Sequence, residues 1–552
     1  PRTRLVCFGY RISEVEIANN KQLKRSLQIR VYSKRGYYRR PIVAVSLGCS
    51  YKDARLPHPC PIDPYTRCAG IKRRIGYNPP SRDQQLCCQF REFVFKFVRK
   101  YLVPLPASID FSVPTWLKGT KYTEARKVEL QAVYDGIVDP FYLNERKNKR
   151  RNRYKYAAVK SFVKDESYID YKHARIINSR CDAFKTLVGP IFKLIETAVF
   201  KLKWFIKHVP IKERVAYIKN IIPTKYAHFV CTDHSQFESH FVRELMESCE
   251  FELYSYMTSN LSCHDDFMFL VKEFIGGEQY LALGEILVII ECLRLSGEMN
   301  TSLGNGFSNL MFMLFVCYIH EIDCDGVVEG DDGLFGVTSI PPVEDFTRLG
   351  LTVKMDVVKT LSEASFCGMI FDYDDEQVIA NPYKVILQLG WTTAMYVNAK
   401  PMVLKELLKG KILCCLYQFP ACPLITPLCH VLLSQLVDVT ASYKFMTYTS
   451  ITYLSSMFDM FNFIPVTKIP EIKFGTRYLM ERLYGITVDH QLLIEKQFLD
   501  AKIDEPISST VFDQYIPKIY FHNYDKYVCH NGENMRFGVL EDHDLEDFNW
   551  IK

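Results

Sequence analysis

The sequence has no run approaching the ~20 consecutive apolar residues that a membrane-spanning helix needs. Its longest apolar run, Leu310 to Ile319, has 10 residues. No transmembrane segment is therefore expected, although attachment to a membrane surface stays open. The 19 cysteines in 552 residues are too dilute for a disulfide scaffold. No hydrophobic leader opens the chain, so free thiols in a reducing, cytosolic setting are expected. The chain opens on Pro1 rather than methionine, and the expectation is a fragment, or a processed or read-through product. There is no internal repeat and no Gly/Ser linker. There is also no Gly-x₄-Gly-Lys-Ser/Thr, so any P-loop helicase activity lies elsewhere. Apolar residues at 48% and charged residues at 24% exclude a wholly disordered chain.

Net charge is a modest +6, but it is unevenly placed. Residues 1–40 carry 11 Lys/Arg against 2 Glu, and residues 145–160 carry 8 against Glu145. The last 40 residues reverse the sign, with 8 acids against 4 bases. A basic front and an acidic tail suggest a polyanion partner for the front half. Hydrophobic spacing predicts helices over Gln89–Leu102, Lys185–Lys207, Phe241–Met257 and Ser302–His320. Strands are expected at Ser161–Asp165, Ala174–Asn178 and Ala227–Thr232, with hairpins around residues 326–337 and 365–380. From about residue 385 the pattern is mainly helical. The class is mixed α+β, with strands concentrated between 225 and 380.

Four constellations carry chemistry. In the first, Val327-Val328-Glu329-Gly330-Asp331-Asp332-Gly333 sets two acids at a hairpin tip, although alone it also reads as an ordinary Asp-Gly turn. The second, Phe229 to Glu238, is an apolar strand ending on Asp233, with Glu238 five residues later; alone, Asp233 reads sooner as a helix cap after a core strand. Should Asp233 neighbour Asp331 and Asp332, each like-charge pair at ~4 Å would cost on the order of 4 kcal/mol. Divalent cations would remove that cost, and two of them suit in-line displacement at phosphorus. Mg²⁺ prefers such oxygen ligands and shares its shell with phosphates. The third, Ser296-Gly297-Glu298-Met299-Asn300-Thr301-Ser302-Leu303-Gly304-Asn305, offers a flexible loop and small hydrogen-bonding groups at a helix start. Thr301 or Ser302 is expected to cap that helix. These groups suit a ribose or a template backbone. The fourth is basic: Arg146 to Arg153 precedes Lys164, Lys172 and Arg175, which alternate with strand-like apolar residues and suit a triphosphate.

The order basic strand, Asp-x₄-acid, Ser-Gly-x₃-Thr-x₃-Asn, Gly-Asp-Asp resembles the RNA-dependent RNA polymerases of positive-strand RNA viruses. The run Ser296 to Asn305 is especially similar to tombusvirus-like replicases. Each motif alone is weak. Their order is specific, with 63 residues from Asp233 to Ser296 and 35 more to Asp331. The matched stretch is about 115 to 371, and it includes Trp116 to Thr120, Leu349 to Lys359 and Ser365 to Gly368.

The resemblance implies a right hand of fingers, palm and thumb, with an antiparallel palm sheet and encircling fingertips. The boundaries would be 1–220 for the N-terminal region and fingers, 221–245 for palm, 246–290 for a fingers insertion, 291–384 for palm, and 385–552 for thumb and acidic tail. It implies template-directed synthesis from NTPs on a single-stranded RNA template, with Mg²⁺ or Mn²⁺ held by Asp233, Asp331 and Asp332. Lys164, Lys172 and Arg175 would grip the triphosphate. Ser296, Thr301, Asn305 and Glu238 would read its ribose, and Glu238 departs from the usual Asp. Lys354 or Lys359 would protonate pyrophosphate, with Lys359 fitting the family spacing better. Arg180, Gly297 and Cys367 would meet RNA. Partners would include other viral replication proteins, in membrane-associated replication complexes of the host cytoplasm. A reverse transcriptase and an inactive RNA-binding accessory protein are the alternatives. A reverse transcriptase usually lacks the Ser-Gly-x₃-Thr-x₃-Asn form, and intact acids argue against the accessory reading.

Zinc is not expected of His58, Cys60, Cys68, Cys87 and Cys88, nor of Cys414, Cys415, Cys422, Cys429 and His430, because their spacing is irregular. The aromatics, 14% of the chain, are mostly core, with a few free to stack on template. The basic segments predict a salt-dependent RNA affinity. About six phosphate contacts to a single strand give a log–log slope near −4 in a filter-binding titration. A flat response would show that these cations face solvent.

Overall fold

A computed structural model describes residues 42–54, 59, 61, 64–137, 156–166, 173–441 and 470–518, apart from 224 and 285. It also describes short strands at 4–6, 8–10, 28–31 and 527–529. The basic run 146–153, Lys172, His58, Cys60 and the acidic tail lie outside the described residues.

The centre is a four-stranded antiparallel sheet, ordered Cys324–Glu329, Asp332–Val337, His228–His234, Val353–Val358. Period-two alternation divides its side chains between two cores. Phe229, Cys231, Val327 and Leu334 face a core shared with the helices Ile211–Ile221, Pro401–Gln418, Ile425–Ser434, Phe474–Tyr484 and Val488–Phe498. Val230, Val328, Phe335 and Val353 face a second core, built around the helix Thr301–Ile319.

That core helix is apolar on nearly every face, as a helix enclosed by protein must be. By length and composition it could cross a membrane, yet most of it is buried here among the helices Gln84–Tyr101, Asp182–Val199 and Glu250–Thr258. Rings of Phe90, Phe237 and His234 surround Phe312 at centroid distances of 5.3, 6.4 and 6.5 Å.

A five-stranded sheet runs Gln28–Val31, Ile286–Glu291, Glu278–Leu283, Ala158–Val163, Ile176–Arg180. It is antiparallel except where Ala158–Val163 lies parallel to Glu278–Leu283. Strands are therefore less confined to 225–380 than expected. Val159 and Ile176 bury against Leu281 and Val288, a pairing across more than 100 residues that local pattern does not reveal. The expected hairpin near 365–380 is three strands, Ser365–Phe366, Met369–Asp372 and Gln377–Ile379. The expected helix Phe241–Met257 is broken into Arg243–Ser248 and Glu250–Thr258, because Cys249 leaves helical geometry at φ −121°, ψ −86°. The described cysteines are free thiols.

Phe312 is fully buried and ties the core helix to the Asp233 strand through His234. Phe312→Ala should therefore cost about 3–5 kcal/mol, read as a lower urea midpoint. A loss below about 1 kcal/mol would show that the site collapses freely.

Candidate active site

The Asp233 strand lies between the 324–337 hairpin and the strand Val353–Val358. Gly333 pairs with Thr232 across the first boundary, and Lys354 pairs with Asp233 across the second. Continuing the first register by one residue sets Asp332 opposite Asp233. The hairpin turns on two residues, Gly330 and Asp331, between the pair Glu329 and Asp332. Gly330 has φ +63°, and Asp331 keeps negative φ. That is the II′ pattern, which requires glycine at the first central position. Asp331 thus occupies the tip, and Asp332 starts the returning strand.

The acids feel one another. Burial, and then the Asp331 carboxylate, push Asp332 up to about 7; Asp233 and Glu329 add to this, and a hydrogen bond from Cys367 opposes it. Left-handed Gln236, at φ +55°, turns the chain into the short helix Phe237–His240 and returns Glu238 toward Asp331. Burial, then Asp331, raise the Glu238 carboxyl. Among the described residues no three His, Cys, Asp or Glu side chains stand ready-made as a metal cage. The donor set nonetheless fits a hard divalent cation. Its oxygens are carboxylates, and the raised Asp332 marks crowded negative charge that such an ion would relieve.

Two buried residues that the sequence reading missed hold the turn. Asn309, on the core helix, lies 3.0 Å through its Nδ2 from the Asp331 carbonyl and 3.4 Å from that of Gly330. Its Oδ1 lies 3.2 Å from His234 Nε2. Burial drives the His234 ring down to about 4, so it is neutral near pH 7. Asn309 stands one helical turn beyond Asn305, and that spacing was its only sequence signal.

The 296–301 loop is bound to the strand Ile176–Arg180. Ser296 Oγ accepts from Asn178 N at 3.3 Å and donates to the Ile176 carbonyl at 3.1 Å. Gly297 N donates to the Asn178 carbonyl at 3.0 Å, and a Cβ on Gly297 would meet that oxygen at 2.7 Å. Thr301 Oγ1 accepts from Glu298 N at 3.1 Å and donates to the Leu295 and Glu298 carbonyls. These groups hold backbone here. Nor does Thr301 or Ser302 cap the core helix: Asn300 is the N-cap residue, without a side-chain cap bond. Asn305 differs, because its Oδ1 is buried with no hydrogen-bond partner. That orphan acceptor would be satisfied by a hydroxyl.

Arg180 corrects an expectation. It does not face RNA but is buried, donating to Glu298 through Nε at 2.6 Å and a second nitrogen at 3.3 Å. Cys367 is at φ +54°, with its thiol directed at Glu329 Oε2 (3.8 Å) and Asp332. Glu329 is itself held by buried Arg214 at 3.0 Å.

Lys164 and Arg175 come together. Lys164 N donates to the Arg175 carbonyl at 2.8 Å, and both side chains approach Glu166, at 2.8 and 3.6 Å. Lys354 and Lys359 separate. Lys354 stands beside Asp233 and pairs with Asp356 at 2.8 Å. Lys359 follows the other end of that strand and is exposed. At ~3.3 Å per residue the two backbones are roughly 16 Å apart along the chain. The family-spacing preference for Lys359 is not matched by its position, because the strand runs antiparallel to the Asp233 strand and carries it away.

An antiparallel sheet with acids at a hairpin tip, Lys354 beside Asp233 and an unsatisfied acceptor on the core helix is an arrangement suited to nucleotide chemistry. Residues 141–407, just under half of the chain, match the model of the RNA dependent RNA polymerase family. Over this segment the chain is similar to the RNA-dependent RNA polymerases of positive-strand RNA viruses, a similarity that indicates RNA-directed RNA polymerase activity. No curated protein matches the chain.

The Arg180–Glu298 pair has 1% exposure on both side chains. Arg180→Ala should destabilise by about 3–5 kcal/mol, since it strands a buried carboxylate. Arg180→Met with Glu298→Leu should recover most of that in urea melts. A stable single variant would show the pair to be hydrated.

Proposed function

We propose that this chain copies single-stranded RNA, with Asp233 and Asp331 holding Mg²⁺, Asp332 assisting, and Mn²⁺ able to replace it. When bound, the ions would neutralise the carboxylate cluster and support in-line displacement at phosphorus. The reading is carried by one observation: a continuous antiparallel register brings Asp233 beside the turn bearing Asp331 and Asp332.

Around that centre, Lys164 and Arg175 exchange Glu166 for the incoming triphosphate, a stronger multivalent anion. Asn305 Oδ1 accepts from a ribose hydroxyl, and Glu238, beside Asp331, biases that pocket toward ribose. Ser296, Gly297 and Thr301 act indirectly, by shaping the loop next to the strand Ile176–Arg180. Lys354 is the better-placed proton donor to departing pyrophosphate. The central sheet corresponds to a palm (221–245 and 291–384). The 1–220 and 246–290 segments are fingers, and 385–552 is thumb and tail. Cys367 lies at the turn that would approach a primer end. Other viral replication proteins, in membrane-associated complexes of the host cytoplasm, are the proposed setting.

Elongation of a self-primed RNA hairpin with NTPs and Mg²⁺ tests this. Asp331→Ala should abolish incorporation, and full activity in that variant would refute the assignment. Lys354→Ala should slow single-nucleotide addition by about 10²–10⁴-fold, the usual worth of a general acid. Lys359→Ala should stay within about twofold of wild type, far below a general-acid effect. The reverse pattern would return the role to Lys359.

A further inference from the structure

We propose that Asn309, oriented by His234, is a positioning residue that sets the backbone of the catalytic turn and so the aim of the Asp331 carboxylate. The inference rests on the proposed catalytic role of that turn. Asn309 has 1% exposure and sits on the largely buried core helix Thr301–Ile319. The neighbours of its Nδ2 are two carbonyl oxygens, which only accept hydrogen bonds. The amide nitrogen must therefore face the turn, and Oδ1 must face His234. For that contact to bind, His234 Nε2 carries the hydrogen.

His234 is itself closely packed. It is buried, with its ring 4.4 Å from that of Phe237. It also follows Asp233 directly, so one strand supplies both a candidate metal ligand and the donor that orients Asn309. The amide consequently links three elements: the Asp233 strand, the core helix and the 324–337 hairpin. A two-residue turn has few bonds of its own, and Gly330 is conformationally free with no neighbour near its Cβ position. The carbonyls of Gly330 and Asp331 are held from outside the turn, by Asn309 Nδ2. Gly333 leaves room for this: a Cβ there would meet Asn309 Nδ2 at 3.3 Å and Thr232 Oγ1 at 2.6 Å.

The test uses Asn309→Leu, which keeps nearly the same shape and removes the amide's hydrogen bonds without adding charge. Single-nucleotide addition on a self-primed RNA hairpin is measured over Mg²⁺ and NTP concentration, beside thermal melts of each variant. The maximal rate should fall about 10- to 100-fold and the Mg²⁺ midpoint should rise, the expected effect of two lost donors at a catalytic turn. The KM for NTP should stay within about twofold, because the triphosphate contacts are untouched. Should Asn309→Leu not yield folded protein, Asn309→Ser carries the same test, its hydroxyl being too short to span both carbonyls. A wild-type rate and Mg²⁺ midpoint in a folded variant would overturn the proposal.

His234→Ala should lower the rate too, and the His234→Ala/Asn309→Ala double variant should be no slower than Asn309→Ala alone. Additive losses would show that His234 does not act through Asn309. Wild-type elongation together with a dead Asp331→Ala keeps the underlying reading intact whichever way Asn309 behaves. An active Asp331→Ala would remove that reading instead.

Discussion

Like charge held at a hairpin tip is the constraint around which this molecule is arranged. Asp331 and Asp332 are adjacent, Asp233 lies across the sheet, and Glu329 and Glu238 stand close by. Like charges ~4 Å apart at an effective dielectric near 20 repel by on the order of 4 kcal/mol. Burial is the larger cause of the elevation of Asp332 to about 7, and the Asp331 carboxylate adds to it. An isolated two-residue turn would relieve such repulsion by moving. Here it is held by Asn309 from the core helix, while buried Arg214 neutralises Glu329 at 3.0 Å. The two cores on either face of the sheet fix the strands that carry these residues.

A second tier of buried polar contacts shapes the approach to the acids. Ser296, Gly297 and Arg180 tie the 296–301 loop to the strand Ile176–Arg180. Lys164 and Arg175 extend from the same antiparallel pair of strands, so loop and cations share one support. Arg294 and Glu250, both fully buried and paired, back the start of the core helix, where a Cβ on Gly304 would strike both. Polar groups buried in this way are costly if displaced, which favours a single loop geometry.

Much of this was legible in the sequence. The alternating strands and the Gly-Asp-Asp-Gly turn announced the hairpin, and the apolar run before Asp233 announced its strand. The ordered motifs then pointed to the family. What local pattern could not give was register across distance. Family spacing favoured Lys359 over Lys354, to within one residue, yet an antiparallel strand puts only Lys354 beside Asp233. Arg180 read as an RNA contact because an arginine in a basic segment usually faces solvent. Its partner Glu298 lies 118 residues away. Asn309 and His234 looked like ordinary helix and strand residues until packing joined them. Lys172 and the run 146–153 lie outside the described residues.

The most direct measurement is anomalous scattering from Mn²⁺ in crystals of the chain with a primed RNA template and a non-reactive NTP. The account predicts two manganese peaks about 3.5–4 Å apart, the spacing of paired catalytic metals. Both should be bound by the Asp233 and Asp331 carboxylates. Manganese bound elsewhere, with these two carboxylates free while the primer end and triphosphate are aligned, would contradict it.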